Sequence, residues 1–261
     1  MNTAILIEGI GAYGPGFSSW PELQQLLAQG QNPLSLSANQ APSPALISSA
    51  ERRRAPHAVK FSIEVASQAV QASGRAVTDL RSVFASAMGD VGITNYMCTA
   101  LNKEPKVISP TNFHNSVHNA PAGYWSIAAN CHAPSSSVSA FVDSFGIALL
   151  EAWTQAVYAR CPMLCVVADM AVPPPMDVIC KTPAAGAFAL VLAPADLARP
   201  DHLPAGRISL GMHTLENTHT PDPSLNPMAP ALEFLAMLGG KRDGSVMLPV
   251  GRKLGLLAQR L

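Results

Sequence analysis

Short apolar runs alternate along the chain with segments whose apolar residues recur at helical spacing. Ile5 to Ile10 is an apolar run interrupted and followed by Gly9, Gly11, Gly14, Pro15 and Gly16, the pattern of a buried strand leading into a loop. Ser82 to Met88, Pro162 to Ala168 and Ala185 to Leu192 are small and apolar and read as further core strands. Between them, Pro21 to Gln29 is helical in period, with Pro21 at its start and Gly30 after its end. Lys60 to Ser73 places Phe61, Val65, Ala69 and Ala72 on one helical face and stops at Gly74. Residues 31 to 50, rich in Pro, Ser, Ala and Asn, and Pro105 to His114 read as loops. Helices are expected from about Ser116 to Ala129 and Asp143 to Ala159, with Ser135 to Val142 extended between them. The last third is richer in proline. It predicts a helix over Ala229 to Leu238, a strand over Val246 to Pro249 and a basic amphipathic tail. Strands alternating with helices argue for an α/β layered sheet.

Composition narrows the function classes. Of 261 residues, 48% are hydrophobic and 13% charged, so a sizeable core is available and little charge is left for the surface. Net charge is zero, and Arg52, Arg53 and Arg54 form the one basic cluster, read as a solvated surface turn. No nucleic-acid footprint follows. The five cysteines, Cys98, Cys131, Cys161, Cys165 and Cys180, contain no CxxC pair, and they read as reduced thiols rather than a disulfide framework or zinc site. No metal and no cofactor is expected. Neither a signal peptide nor a membrane span is evident, and the expected location is cytoplasmic.

Gly9, Gly11 and Gly14 match G-x-G-x-x-G, but Pro15 and Ser18-Ser19-Trp20 intervene before the helix, so the dinucleotide reading is weak. The stretch Ile5 to Gly30 instead resembles the opening strand, loop and first helix of β-ketoacyl synthases. The segment Ser109 to Ala152 is similar, without a gap, to the ketosynthase segment that crosses the dimer interface and ends at the nucleophile. Ser109-Pro110, Asn119, Ala122-Gly123, Pro134-Ser135 and Glu151-Ala152 carry that resemblance. Gly186 to Leu192 is similar to the family's glycine-rich strand. The resemblance is strongest over residues 4 to 193. It implies half of a thiolase-like α/β fold, a mixed sheet flanked by helices with the C-terminal catalytic half missing, in one domain spanning 1 to 261. Residues 194 to 261 would then complete or cover the sheet.

Ketosynthases hold a reactive cysteine at a helix N-terminus, where the helix dipole lowers the thiol pKa. In the ungapped register that position is Val142, which has no nucleophilic atom. Asp143 follows and is expected to satisfy the helix start while repelling an anion beside it. The family's histidine motifs are absent. His219, in Asn217-Thr218-His219-Thr220, faintly resembles one of them, lacks its glycines, and is given little weight. His202 and His213 read as surface or loop residues. His114 and His118 have i, i+4 spacing, which can bind metal, but no third ligand follows, so an interface or core role is favoured.

The resemblance therefore implies a non-catalytic, chain-length-factor-like subunit, similar to the short versions of bacterial aryl-polyene and xanthomonadin-type systems. Such a subunit pairs with an active β-ketoacyl synthase in polyketide or fatty-acid-like biosynthesis and shapes its acyl tunnel. Residues 109 to 125 would form the heterodimer interface, with Thr111, Asn112, Phe113, His114, His118 and Asn119 as interface or tunnel candidates. Two alternatives stay open. One is a divergent acyltransferase or thioesterase-like enzyme using Ser144 or a cysteine. The other is a scaffold that binds acyl carrier protein through Arg52 to Arg54 or through Lys241, Arg242, Arg252 and Lys253.

Overall fold

The structure, a computed structural model, describes residues 3–222, 224–240 and 244–261. In chain order it comprises β1 (Thr3–Tyr13), α1 (Trp20–Ala28), α2 (Ser49–Arg54), α3 (His57–Ser73), β2 (Arg81–Ala85), α4 (Val91–Leu101), α5 (Pro110–His114) and α6 (Ala120–Ala128). Then follow β3 (Ser135–Val138), α7 (Ser144–Ala159), β4 (Met163–Asp169), β5 (Gly186–Pro194), β6 (Gly206–Thr214), α8 (Ala229–Leu238), β7 (Ser245–Pro249) and β8 (Leu254–Arg260). The strands form one 8-stranded sheet in the order β3-β2-β4-β5-β1-β6-β8-β7. β2 runs parallel to β3 and β4, and the remaining pairs are antiparallel. The expected mixed sheet flanked by helices is what forms.

β4 and β5 are buried along their whole length, as continuous apolar runs covered on both faces must be. On one face, Phe61, Val65, Ala66 and Ala69 of α3 pack with Trp125 of α6 onto Leu164, Val166, Ala189 and Val191. Ala72, expected on that face, is exposed, and the buried stripe runs instead through Ala66, Ala69, Val70 and Ser73. The paired glycines of β1 explain how α3 sits so close. A Cβ on Gly9 or Gly11 would collide with the main-chain oxygens of Ala69 and Val65. These glycines are packing residues within a strand, and they open no phosphate-binding turn.

On the other face, α7 and α8 meet through Phe145 and Phe234, whose ring centroids lie 5.4 Å apart. A Cβ on Gly146 would come 2.8 Å from the Pro249 oxygen, so α7 is pressed against the end of β7. The last third of the chain thus covers the helix that follows β3. The tail, expected only to be basic and amphipathic, is strand β8, paired with both β6 and β7. Along Leu254–Arg260, Leu256 and Ala258 on one face are buried in the core, whereas Leu257 and Gln259 on the other are half-buried, a period-2 pattern that frays at the exposed ends Leu254 and Arg260.

Besides β8, the elements not expected are β6, α2, α4 and α5, the last lying in the segment read as a loop. β6 lies in the proline-rich third. α2 contains the arginine run that was read as a turn, and Ser48 caps it by accepting the Glu51 amide proton. α4 is capped in the same way by Asp90.

Candidate functional site

The vacated nucleophile position sits at the start of α7. β3 ends at Val138, and residues 141 to 143 form a single 3₁₀ turn, so the extended segment expected up to Val142 is shorter than predicted. Val142 is buried. Phe141 before it has φ of 53°, in the left-handed region that an aromatic residue seldom occupies. Its side chain packs against the small cluster of Val91, Val172 and Cys180.

Ser144 closes this turn. Its hydroxyl donates to the Phe141 oxygen at 2.7 Å and accepts from the Ala140 amide at 3.0 Å. The residue is fully buried, so the hydroxyl is committed to local structure. Cysteine offers no better nucleophile nearby. Burial pushes the Cys165 thiol up to about 12 and also raises that of Cys180. Cys131 is buried, with its sulfur directed at the main-chain oxygens of Thr78 and Leu80.

Asp143 does not act as expected. It occupies the N-cap position of α7 but makes no side-chain capping bond. Its carboxylate instead meets the His219 Nε2 at 2.9 and 3.1 Å. His219 carries little weight in the sequence, because its context lacks the glycines of the motif that it faintly resembles. Pairing of the chain after β6 with the turn before β8 places it there. The Leu215 amide donates to the Lys253 oxygen and the His219 amide to the Arg252 oxygen. His202, read as a surface residue, is half-buried against the Glu8 oxygen at 2.8 Å, whereas His213 is exposed.

The second part of the site is the segment that the resemblance puts at a subunit interface. The helix expected from Ser116 begins only at Ala120, with Pro121 in its first turn. A separate short helix, α5, precedes it, started by Pro110 and capped by Ser109. His114 ends α5 and His118 lies in the turn before α6, so the i, i+4 pair does not share a helix. Thr111, His114 and Asn119 line a groove of about 570 Å³ with Ile47, Arg54 and Tyr124. Asn112 is half-buried, and Phe113 is 63% exposed at the surface. With Val117 and Ile127, 53% and 76% exposed, Phe113 gives this face a concentration of uncovered apolar side chains.

The turn after β2 links the two parts. The Ser86 oxygen lies 3.2 Å from the His118 Nε2, and the Ala87 oxygen accepts from the Ser139 hydroxyl at 3.1 Å. Asp169, fully buried at the end of β4, holds this turn. Its Oδ1 accepts from the Ala87 amide at 2.7 Å and the Ser86 hydroxyl at 3.0 Å. Burial raises its pKa to about 6, against the opposing effect of those two hydrogen bonds. Sequence reading missed Asp169, and its only signal there is a lone carboxylate at the end of an apolar run.

The family model described as "Beta-ketoacyl synthase, N-terminal domain" matches residues 22–238. The chain belongs to this family. Solved ketosynthase-type structures share the fold over nearly the whole chain. One is a chain from "Ketosynthase (ApeO) in Complex with its Chain Length Factor (ApeC) from Xenorhabdus doucetiae". It has a TM-score of 0.74 and 22% identity, covering 98% of this chain and 99% of that one. A second, from "The ishigamide ketosynthase/chain length factor", has a TM-score of 0.74 and 12% identity, with 99% of each chain covered. A third comes from a type II acyl-carrier protein in complex with its ketosynthase, AntDE:AntF, with a TM-score of 0.77 and 12% identity over 99% of each chain. No curated protein matches the chain. Among the described residues, no helix is long and apolar enough to cross a membrane.

Proposed function

We propose that this β-ketoacyl synthase-family chain is a non-catalytic subunit that pairs with an active ketosynthase and shapes its acyl tunnel, as a chain length factor does. The observation that carries the reading is Val142. It is a buried valine at the start of α7, where the family resemblance places the reactive cysteine, and its nearest neighbours in sequence offer no replacement. The hydroxyl of Ser144 is tied to Phe141 and Ala140, and the imidazole nearest this turn is held by a carboxylate.

The face carrying α5 and α6 suits a partner. Phe113, Val117 and Ile127 are exposed beside a groove, and few charges interrupt them. β3, at the sheet edge next to this region, is only four residues long and leaves one side of its ladder unpaired. Thr111, Asn112 and Phe113 would then lie where the two subunits meet, and Phe113 would set how far the partner's tunnel extends. A soluble intracellular setting and occasional contact with acyl carrier protein belong to the same proposal.

Co-expression with its cognate ketosynthase tests this reading. A heterodimer by size exclusion and mass analysis is expected, with longer products when Phe113 is replaced by alanine. Two separate proteins, or products of unchanged length from a heterodimer containing Phe113→Ala, would count against the pairing and the tunnel role respectively.

A further inference from the structure

One stripe of α6 borders open space at Gly123 and Ile127, while its Ala120, Tyr124 and Ala128 are half-buried against the core beneath. Ala120, Gly123, Tyr124, Ile127 and Ala128, at i, i+3, i+4, i+7 and i+8, all line the groove. That spacing makes a single helical face about 12 Å long. In a helix packed within its own chain such a stripe meets a neighbour, but here Ile127 is mostly exposed.

Gly123 sharpens the point. Glycine inside a helix is less stable than alanine. A Cβ added at Gly123 would meet no atom within 4 Å, so nothing in this chain requires the missing side chain. Gly146, inside α7, is crowded by the main chain, whereas Gly123, also inside a helix, has open space above it. Its absent side chain leaves room for something that is not part of the chain. At the groove floor, Asn115 is 4% exposed, and its Oδ1 has no hydrogen-bond donor among the described residues. A buried acceptor without a donor is costly, and an occupant bringing an N–H or O–H would relieve it.

The rim has a sign. α2 forms one wall and carries Arg52, Arg53 and Arg54 against the single carboxylate of Glu51, which is already bonded to the Ser48 hydroxyl at 2.9 Å. Arg52 is held by the oxygens of Ser43 and Pro44. Arg53 and Arg54 are exposed and have no ion pair or hydrogen bond among the described residues, and Arg54 lines the groove. His114, exposed, lines the same groove.

We infer that this groove seats an acidic amphipathic helix of the partner subunit, its apolar side packed over Gly123 and its carboxylates facing Arg53 and Arg54. The inference rests on the pairing proposed above and specifies how it is made. Small residues at 120, 123 and 128 let two helix backbones approach closely, as interdigitating ridges require. The arginine pair gives the contact its charge complementarity and a dependence on ionic strength.

Two variants test it in the complex with the cognate ketosynthase, each first checked by circular dichroism and thermal unfolding. Gly123→Trp fills the groove from a position where the chain has free space. Arg53→Glu with Arg54→Glu reverses the rim. Both are expected to weaken association by about tenfold or more, and the arginine variant to invert its salt dependence, since added salt then screens a repulsion. Wild-type affinity in both variants would overturn the inference and leave the pairing intact. Weakening by Gly123→Trp alone would overturn the acidic character of the occupant. Failure of the unmodified chain to bind the ketosynthase would remove the pairing and this inference with it. Self-association of the isolated chain, lost in both variants, would identify the occupant as a second copy and overturn the assignment.

Discussion

His219 Nε2 lies 2.9 Å from the Asp143 carboxylate, joining the chain after β6 to the first residue before α7. Sequence separates them by 76 positions. The contact fixes the last third of the chain over the turn that holds Val142. Both side chains are mostly shielded, at 22% and 14% exposure, yet open enough for water to screen them. A double-mutant cycle with His219→Ala and Asp143→Ala in urea unfolding is expected to give a coupling of about 1 kcal/mol. Additive single effects would mean that the two groups are adjacent without stabilising each other.

Restoring the thiol is not expected to restore chemistry. Val142→Cys removes little volume from a buried site and should cost about 1 kcal/mol. The Asp143 carboxylate next to it disfavours a thiolate, and His219 is already engaged by that carboxylate. Incubation with an acyl-thioester donor should leave the mass of Val142→Cys unchanged. A stoichiometric acyl adduct would show that one substitution had silenced an otherwise complete nucleophile site.

Gly11→Ala should damage the fold more than any surface change. The new methyl would strike the Val65 main chain, which cannot move away without lifting α3 from β1. A loss of about 3 kcal/mol is expected in denaturant unfolding, at the upper end of overpacking effects. The same substitution at Gly123 should be neutral or slightly stabilising in the isolated chain, since it meets no atom and improves helix propensity. Equal effects at the two sites would remove the packing explanation of the β1 glycines.

Much of this was legible because the relevant signals are local. The apolar runs of β1, β4 and β5 and the periodicity of α3, α7 and α8 gave their positions within a few residues. α6 began late because Pro121 fits a first helical turn, while the preceding Ser116-Val117-His118-Asn119 carries no cap that fixes the start. β8 was disguised by Arg252, Lys253 and Arg260, which made the tail read as basic and amphipathic without marking it as a strand. The site divided in the same way. Val142 and the candidates Thr111, His114 and Asn119 follow from position in one ungapped segment. The Asp143–His219 pair and the Asp169 clamp depend on which distant strands lie side by side. Lys241 and Arg242, named as candidate contacts for a carrier protein, lie outside the described residues.

Asp169 makes the most direct pH prediction. Its carboxyl is fully buried, and its pKa in the fold is raised from 3.8 to about 6. The folded chain therefore binds a proton that the unfolded chain releases throughout that interval. Stability contributed by this group must grow as pH falls from about 6 toward 3.8, opposite to the usual behaviour of a salt-bridged carboxylate. Each unit of pKa difference corresponds to about 1.4 kcal/mol, so the full effect is about 3 kcal/mol. Asp169→Asn keeps an oxygen for the Ala87 amide and the Ser86 hydroxyl while removing the charge. It should be more stable than the parent at pH 7 and nearly equal to it at pH 4. Because the same carboxylate holds the turn that meets both His118 and Ser139, the variant should also slow amide exchange at Ala87 and Gly89 at neutral pH. Parallel stability curves for parent and variant between pH 4 and 7 would show that Asp169 is ionised in the fold no differently from an exposed aspartate.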